Sequence, residues 1–262
     1  MASTHSKACC ETPVPANVVV YQAQGEYLDI LGEKVYVVGD KNAARVIVWV
    51  FDIFGYSPQT LRGADIVAAS LSSSSKGPVA VLIPDWFDGT VADKAWVPPV
   101  TDEQTAKLGN FIKTKAAPEL VVPRVLKFTE ALKQNQQQPV LPNLQSFGIF
   151  GFCWGGKLAS IACQRSSDSI FSVAVQTSPS RADPEEAANI SVPMALLLSK
   201  DEDLPTMQKF YDNLPTSDKF MERFDSQIHG WMSGRGDLSD PSVRVEVERG
   251  YKLAVEFFDK YL

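Results

Sequence analysis

The chain holds two histidines, and one of them, His229 in His-Gly-Trp, lies downstream of Gly-Phe-Cys-Trp-Gly-Gly at residues 151–156, which itself follows an apolar run. A nucleophilic thiol needs a base, and the base needs an acid to orient it, so a chain with one usable imidazole narrows the assignment sharply. The other histidine, His5, sits in a polar tail and is set aside. These residue types in this order point to acyl chemistry carried by the Cys153 sulfur.

The run Phe147 to Phe150, the glycine-rich turn and the alanine-bearing stretch after it form the strand, turn and helix context of a nucleophile elbow, with Cys153 where serine usually stands. A β-carbon at Gly151 or Gly155 would collide with neighbouring backbone in so tight a turn. At the start of a helix beginning near Trp154, the macrodipole favours thiolate, so the expectation is a lowered thiol pKa. The competing reading is a small buried hydrophobe in a strand-to-helix turn.

The acid should follow a strand between the elbow and the histidine, and Ser199-Lys-Asp-Glu-Asp follows the apolar run Pro193 to Leu198. Asp201, Glu202 and Asp203 are the candidates. Asp201 lies nearest the strand end and is chosen, leaving the other two as a solvated acidic turn before a helix. The order Cys153, Asp201, His229 is the order an elbow nucleophile uses. Its oxyanion hole would take backbone N–H groups from Trp154, after the nucleophile, and from Ile53 in Phe51-Asp-Ile-Phe-Gly.

These residues need a sheet edge to bring them together. From Arg45 onward, short β-branched apolar runs alternate with helical patterns, the mark of βαβ units and a mostly parallel sheet covered on both faces. Strands are expected at Val46 to Phe51, Val79 to Ile83, Phe147 to Phe150, Phe171 to Val175, Pro193 to Leu198 and Phe220 to Phe224. Helices are expected at Pro58 to Ser74, Asp102 to Lys115, Leu120 to Gln137, Trp154 to Arg165, Leu204 to Asn213 and Ser242 to Tyr261. Before them, segments such as Lys34 to Val38 suggest a small antiparallel opening.

Pro84 to Pro123 is longer than an ordinary connection and carries Trp86, Phe87 and Trp96, so it is either a partial lid or a surface excursion with its own helix. Gln136 to Gln138 and Pro139 read as a solvated helix end.

At 262 residues with 45% hydrophobic and 21% charged side chains, the chain can bury a large core, and one domain with a leader over residues 1–24 is expected. A net charge of −6 leaves no basic stripe for nucleic acid or an anionic membrane. No apolar stretch has the roughly 18 residues of a spanning helix, and the first ten residues lack a signal-peptide core, so a cytoplasmic protein is expected. The four cysteines, with Cys9 and Cys10 adjacent, do not suit a secreted disulfide framework and are read as reduced. A metal-binding or redox-sensing role for Cys9 and Cys10 ranks last, since no histidine lies near them in the sequence.

With Gly151–Gly156, Asp-Ile-Phe-Gly at 52–55, Ser-Lys-Asp at 199–201 and His-Gly-Trp at 229–231, the chain from about residue 25 resembles the dienelactone hydrolase (carboxymethylenebutenolidase) family, in its fungal branch. The resemblance implies an α/β-hydrolase fold without a large cap domain, no metal, no organic cofactor, and cleavage of a lactone or ester through a thioester acyl-enzyme. It also implies an accessory carboxylate before Ile-Phe-Gly that couples substrate binding to the thiol. Here that residue is Asp52, one methylene shorter than the glutamate of bacterial members, and a structural hydrogen-bonding role is its alternative.

Bacterial members hold a substrate carboxylate with two arginines. The first segment here, Pro84-Asp-Trp-Phe-Asp-Gly-Thr, has none, and Arg235 stands near the second position but offset, with a surface pairing to Asp237 or Asp240 as its other reading. Trp86, Phe87, Trp154 and Trp231 therefore suggest an apolar or aromatic substrate, with Trp86, Phe87, Trp231 and Arg235 as its contacts. The small-molecule ligand is the only expected partner, with the chain a monomer or weak dimer. The rival functions are a thioesterase and a pseudoenzyme that binds a small molecule without turnover; alkylation of a thiol with parallel loss of esterase activity separates enzyme from binder.

Overall fold

A computed structural model describes residues 7–15, 21–134, 140–165 and 169–262. His5 and Gln136 to Gln138, with Pro139, lie outside the described residues, as does the end of the helix expected to reach Gln137.

Eight strands form one sheet: β1 (Glu26–Ile30), β2 (Glu33–Gly39), β3 (Arg45–Val50), β4 (Val79–Pro84), β5 (Ser146–Phe152), β6 (Phe171–Thr177), β7 (Met194–Ser199) and β8 (Lys219–Phe224), in the order β1-β2-β4-β3-β5-β6-β7-β8. β1 and β2 are the expected antiparallel opening, and β2 pairs antiparallel with β4. From β4 to β8 every pairing is parallel. This is the α/β-hydrolase sheet that the resemblance implied.

The reason lies in the strands themselves. Arg-Val-Ile-Val-Trp-Val, Val-Ala-Val-Leu-Ile-Pro and Met-Ala-Leu-Leu-Leu-Ser are buried at every residue, as strands covered on both faces must be. β8, Lys-Phe-Met-Glu-Arg-Phe, ends the sheet with one neighbour and stays half-buried along most of its length.

Helices fill the connections: α1 (Lys7–Glu11), α2 (Pro58–Leu71), α3 (Asp102–Thr114), α4 (Pro118–Gln134), α5 (Trp154–Ala162), α6 (Pro184–Ala187), α7 (Leu204–Asn213) and α8 (Pro241–Tyr261). Their boundaries follow local signals. Ser57 accepts the Thr60 N–H and Pro58 opens α2; Asp240 accepts the Ser242 N–H ahead of Pro241 in α8. α2 and α8 pack on each other and on the sheet, and α4 packs on α5, which lies on the sheet.

Residues 84–123 contain α3 and a short 3₁₀ turn at Lys94–Trp96. They lean on the rim where the elbow emerges: Ala92 N–H donates to Ile53 O at 2.9 Å, Trp154 Nε1 to Ala116 O at 2.7 Å, and Lys94 Nζ to Gly234 O at 3.3 Å. The segment is thus a fixed partial cover, too small to be a cap domain. No helix among the described residues is long and apolar enough to cross a membrane.

Candidate active site

β5 delivers Cys153 to the carboxyl edge of the sheet. The residue adopts φ 53° and ψ −109°, outside the regions that side-chain-bearing residues favour. Such a conformation costs on the order of 1–3 kcal/mol and needs its surroundings to enforce it. They do: Cys153 N–H donates to Thr177 O at 3.0 Å, and the Cys153 carbonyl accepts from Gly156 and Ser180 at 3.1 and 2.9 Å. A β-carbon on Gly155 would sit 1.9 Å from Val50 O, and one on Gly151 2.3 Å from Gly155 O, so both glycines are required by close approach. Trp154 opens α5, where first-turn N–H groups have no carbonyl one turn back, and Ile53 heads the turn after β3, so both backbones stand at the elbow rim.

His229 is carried on the loop after β8. Lys200 N–H donates to Gln227 O at 3.0 Å, tying this loop to the acidic turn after β7. The carboxylate on the ring is Glu202, whose Oε1 lies 2.7 Å from His229 Nδ1. Asp201, the expected partner, instead accepts the backbone N–H of His229 at 2.8 Å through Oδ2. The turn explains the exchange. Ser199 N–H binds Glu202 Oε2 and Asp201 N–H binds Ser199 Oγ, which folds the Glu202 side chain inward and leaves it buried. Glu202 is therefore no solvated residue of an acidic turn. Asp203 matches that description, accepting the Thr206 N–H at 3.0 Å as the cap of α7.

A second thiol occupies the space between sulfur and ring. Cys9, on α1, has its Sγ 3.3 Å from Cys153 Sγ, and a ring nitrogen of His229 and both sulfurs lie within 4.8 Å of one another. α1 is held there by Arg235 Nη2, which donates to Cys9 O at 2.6 Å, and by Thr12, whose hydroxyl lies 3.2 Å from Asp201 Oδ2. Cys153 and His229 are fully buried beneath it.

The electrostatics follow. Contact with Cys9 and burial push the Cys153 thiol well up, opposed by Arg235 and reinforced by Asp52. The lowered thiol pKa expected from the helix is not what this arrangement produces. For His229, burial works downward but is outweighed by Cys9 and Glu202, which raise it to about 9. Both shifts draw on the contact with Cys9, so moving Cys9 away relieves the thiol and the ring together.

Residues 34–262 match the dienelactone hydrolase family. The chain belongs to that family. An uncharacterized AIM2 family protein of Schizosaccharomyces pombe is 31% identical over 97% of this chain and 99% of its own, which fits the fungal branch. The human carboxymethylenebutenolidase homolog is 23% identical over 95% of this chain and 98% of its own. Among solved structures, the dienelactone hydrolase of Anabaena variabilis superposes with a TM-score of 0.62 at 19% identity, covering 92% of this chain and 98% of that one. Ester or lactone hydrolysis is the class of activity that comes with the family.

Measured against the dienelactone hydrolase pattern, the other expected residues divide. Asp52 is buried, with Oδ1 accepting from Phe54 N–H at 2.9 Å and Oδ2 from Ser233 Oγ and Gly234 N–H at 2.7 and 2.9 Å. It ties the Ile53 turn to the loop bearing Arg235, which is the structural alternative. Trp86 is core: its Nε1 donates to Trp49 O at 3.0 Å and its ring meets Phe128 edge-on. Trp231 is likewise buried, 4.4 Å from the Phe224 ring centroid. Both indoles are packed among core side chains. Phe87 packs on Trp154, with centroids 4.6 Å apart, and so reaches the elbow rim.

Arg235 is fully buried rather than paired on the surface with Asp237 or Asp240, and its guanidinium lies 5.2 Å from the Phe54 ring centroid. Its Nε and Nη1 have no hydrogen-bond partner among the described residues. Sequence reasoning preferred Asp201 to Glu202 and ranked a role for Cys9 last. Glu202 was one residue from the choice made, and only the turn's hydrogen bonds distinguish the two; Cys9 lay in what reads as a leader.

Proposed function

We propose that the chain is a cysteine-dependent hydrolase of lactones or activated esters, working through a thioester on Cys153 with His229 as base and Glu202, in place of Asp201, as the acid that orients it. The observation that carries this reading is the elbow sulfur within 4.8 Å of a ring nitrogen whose ring is anchored by Glu202 at 2.7 Å. A carboxylate on Nδ1 selects the Nδ1–H tautomer and leaves the Nε2 lone pair for the thiol proton.

With α1 displaced, His229 Nε2 takes the Cys153 proton and the thiolate attacks the acyl carbon. The Ile53 and Trp154 amides hold the oxyanion. The acyl carbon–oxygen bond then breaks, and the departing oxygen takes the proton from His229. Water next gives a proton to His229 and attacks the thioester, and the expelled thiolate recovers that proton. A thiolate leaves a tetrahedral adduct more readily than an alkoxide does, so enol lactones and aryl esters suit this site better than alkyl esters.

Arg235 supports an acidic substituent on the substrate, because a buried guanidinium with two unpartnered groups is suited to a carboxylate in a bidentate grip. The indoles of Trp86 and Trp231 give no support to an aromatic substrate, since both belong to the core. Cys153→Ala should abolish turnover of a p-nitrophenyl ester or an enol lactone in a protein that still folds; undiminished turnover would end this reading. Arg235→Met should raise KM for a carboxylate-bearing lactone roughly tenfold to a hundredfold while changing KM for its neutral ester little.

A further inference from the structure

The sulfurs of Cys9 and Cys153 and a ring nitrogen of His229 converge from three separate parts of the chain, the N-terminal turn, the elbow and the loop after β8. Two features make this more than crowding. His229 is wholly buried, and on its Nε2 side the ring meets the Cys9 thiol with no oxygen or nitrogen partner among the described residues. The other ring nitrogen is bound to a carboxylate, the arrangement that orients metal-binding histidines and raises their basicity.

We propose that Cys9, Cys153 and His229 form a binding site for a thiophilic divalent cation, zinc being the best match, which pins α1 across the elbow.

The dimensions agree. In a tetrahedral zinc site, two sulfurs about 2.3 Å from the ion stand about 3.8 Å apart, and sulfur and nitrogen about 3.6 Å apart. The observed 3.3 Å between sulfurs opens to that value by small side-chain rotations, and the 4.8 Å envelope contains it. Two thiolates and one imidazole are a soft donor set, selecting zinc over magnesium or calcium.

Charge agrees as well. Each thiol releases its proton to solvent on binding, and the resulting two negative charges cancel the ion's two positive ones, which a buried site requires. His229 binds through the Nε2 lone pair, and any proton there also leaves for solvent. Around the cluster stand Glu202 on Nδ1, Asp201 on the His229 amide, Arg235 on the Cys9 carbonyl, and Asp52 beyond the sulfur. None of these carboxylates competes for the ion, because each is already engaged in hydrogen bonds.

Such a site has a consequence for the activity. The ion would occupy the nucleophile and its base together, so zinc is an inhibitor held by the N-terminal turn, and metal removal releases the enzyme. That consequence rests on the thiol-nucleophile reading; the binding itself does not.

The test titrates full-length protein, reduced with a phosphine that does not chelate, with zinc against a chromophoric chelator, and repeats the titration with cobalt. The expected result is one ion per chain, a cobalt adduct with thiolate-to-metal charge-transfer absorption, and binding at least about a hundredfold weaker in Cys9→Ser, since losing a ligand exceeds the roughly 10–100-fold effect of losing an outer partner. Zinc should inhibit wild-type esterase activity reversibly and leave Cys9→Ser active at the same concentration. Equal affinity in Cys9→Ser, a cobalt adduct without thiolate absorption, or no binding overturns the proposal. Zinc binding with the expected signature in a protein devoid of esterase activity would uphold the site and refute the nucleophile assignment instead.

Discussion

Two regions meet at the Cys153 sulfur and are held in opposite ways. Beneath it, the elbow is locked by backbone hydrogen bonds to β6 and the following turn, and by two glycines with no room for a methyl group. Above it, α1 rests on a sulfur contact, the Arg235 bond to Cys9 O and the Thr12 contact to Asp201. On the proposed reading, a strained nucleophile demands an over-determined foundation, whereas a cover that opens for substrate is held by contacts that can be exchanged. Reactivity would then be set by the core and access by the turn that carries Cys9.

The sharpest way to break the lower region is Gly155→Ala. With the new methyl 1.9 Å from Val50 O, strand and helix must separate, and stability should fall by about 3 kcal/mol or more in urea denaturation, with loss of esterase activity. Retained stability and activity would mean that the elbow is far more compliant than its packing implies.

Next in size is the exchange of acids. Glu202→Gln should lower kcat roughly a thousandfold by removing the charge that fixes the ring tautomer, whereas Asp201→Asn, which touches the His229 backbone amide and the Thr12 hydroxyl but not the ring, should cost roughly tenfold or less. The reverse ranking in steady-state kinetics would return the acid role to Asp201.

The contrast also explains what could be read from the residues alone. The central strands were legible because helices on both faces force continuous β-branched runs, and the elbow because its glycines answer a steric demand that few other turns make. β1, Glu-Tyr-Leu-Asp-Ile, carries too little apolar pattern to be bounded in advance. The choice between Asp201 and Glu202 hangs on a side chain folding back onto its own turn, a local event without periodicity. The packing of Trp86 and Trp231 into the core was not legible because a tryptophan near a catalytic motif looks the same whether it lines a cavity or fills the core. Cys9 ranked last because its histidine neighbour is distant in sequence, and nothing in a short polar segment says where it returns to the body.

The upper region is tested more gently. Removing residues 1–15 should speed alkylation of Cys153 by iodoacetamide, followed by peptide mass spectrometry, at least about tenfold, because the sulfur is fully buried under α1. The melting temperature should change by only a few degrees. An unchanged labelling rate would mean that something other than α1 limits access. Smallest of all, Thr12→Val removes the partly buried hydroxyl contacts to Ala8 O and Asp201 and should accelerate the same reaction by no more than about tenfold.

The proposed chemistry requires an acyl group to pass through one sulfur. Acid-quenching the protein during turnover of p-nitrophenyl acetate and mapping its peptides by mass spectrometry examines this directly. An acetyl group on Cys153 of the wild-type protein, absent in Cys153→Ser after brief exposure, is the predicted result. Turnover with the acetyl group on another residue, or with no acyl adduct and a Cys153→Ala variant as fast as wild type, would contradict it.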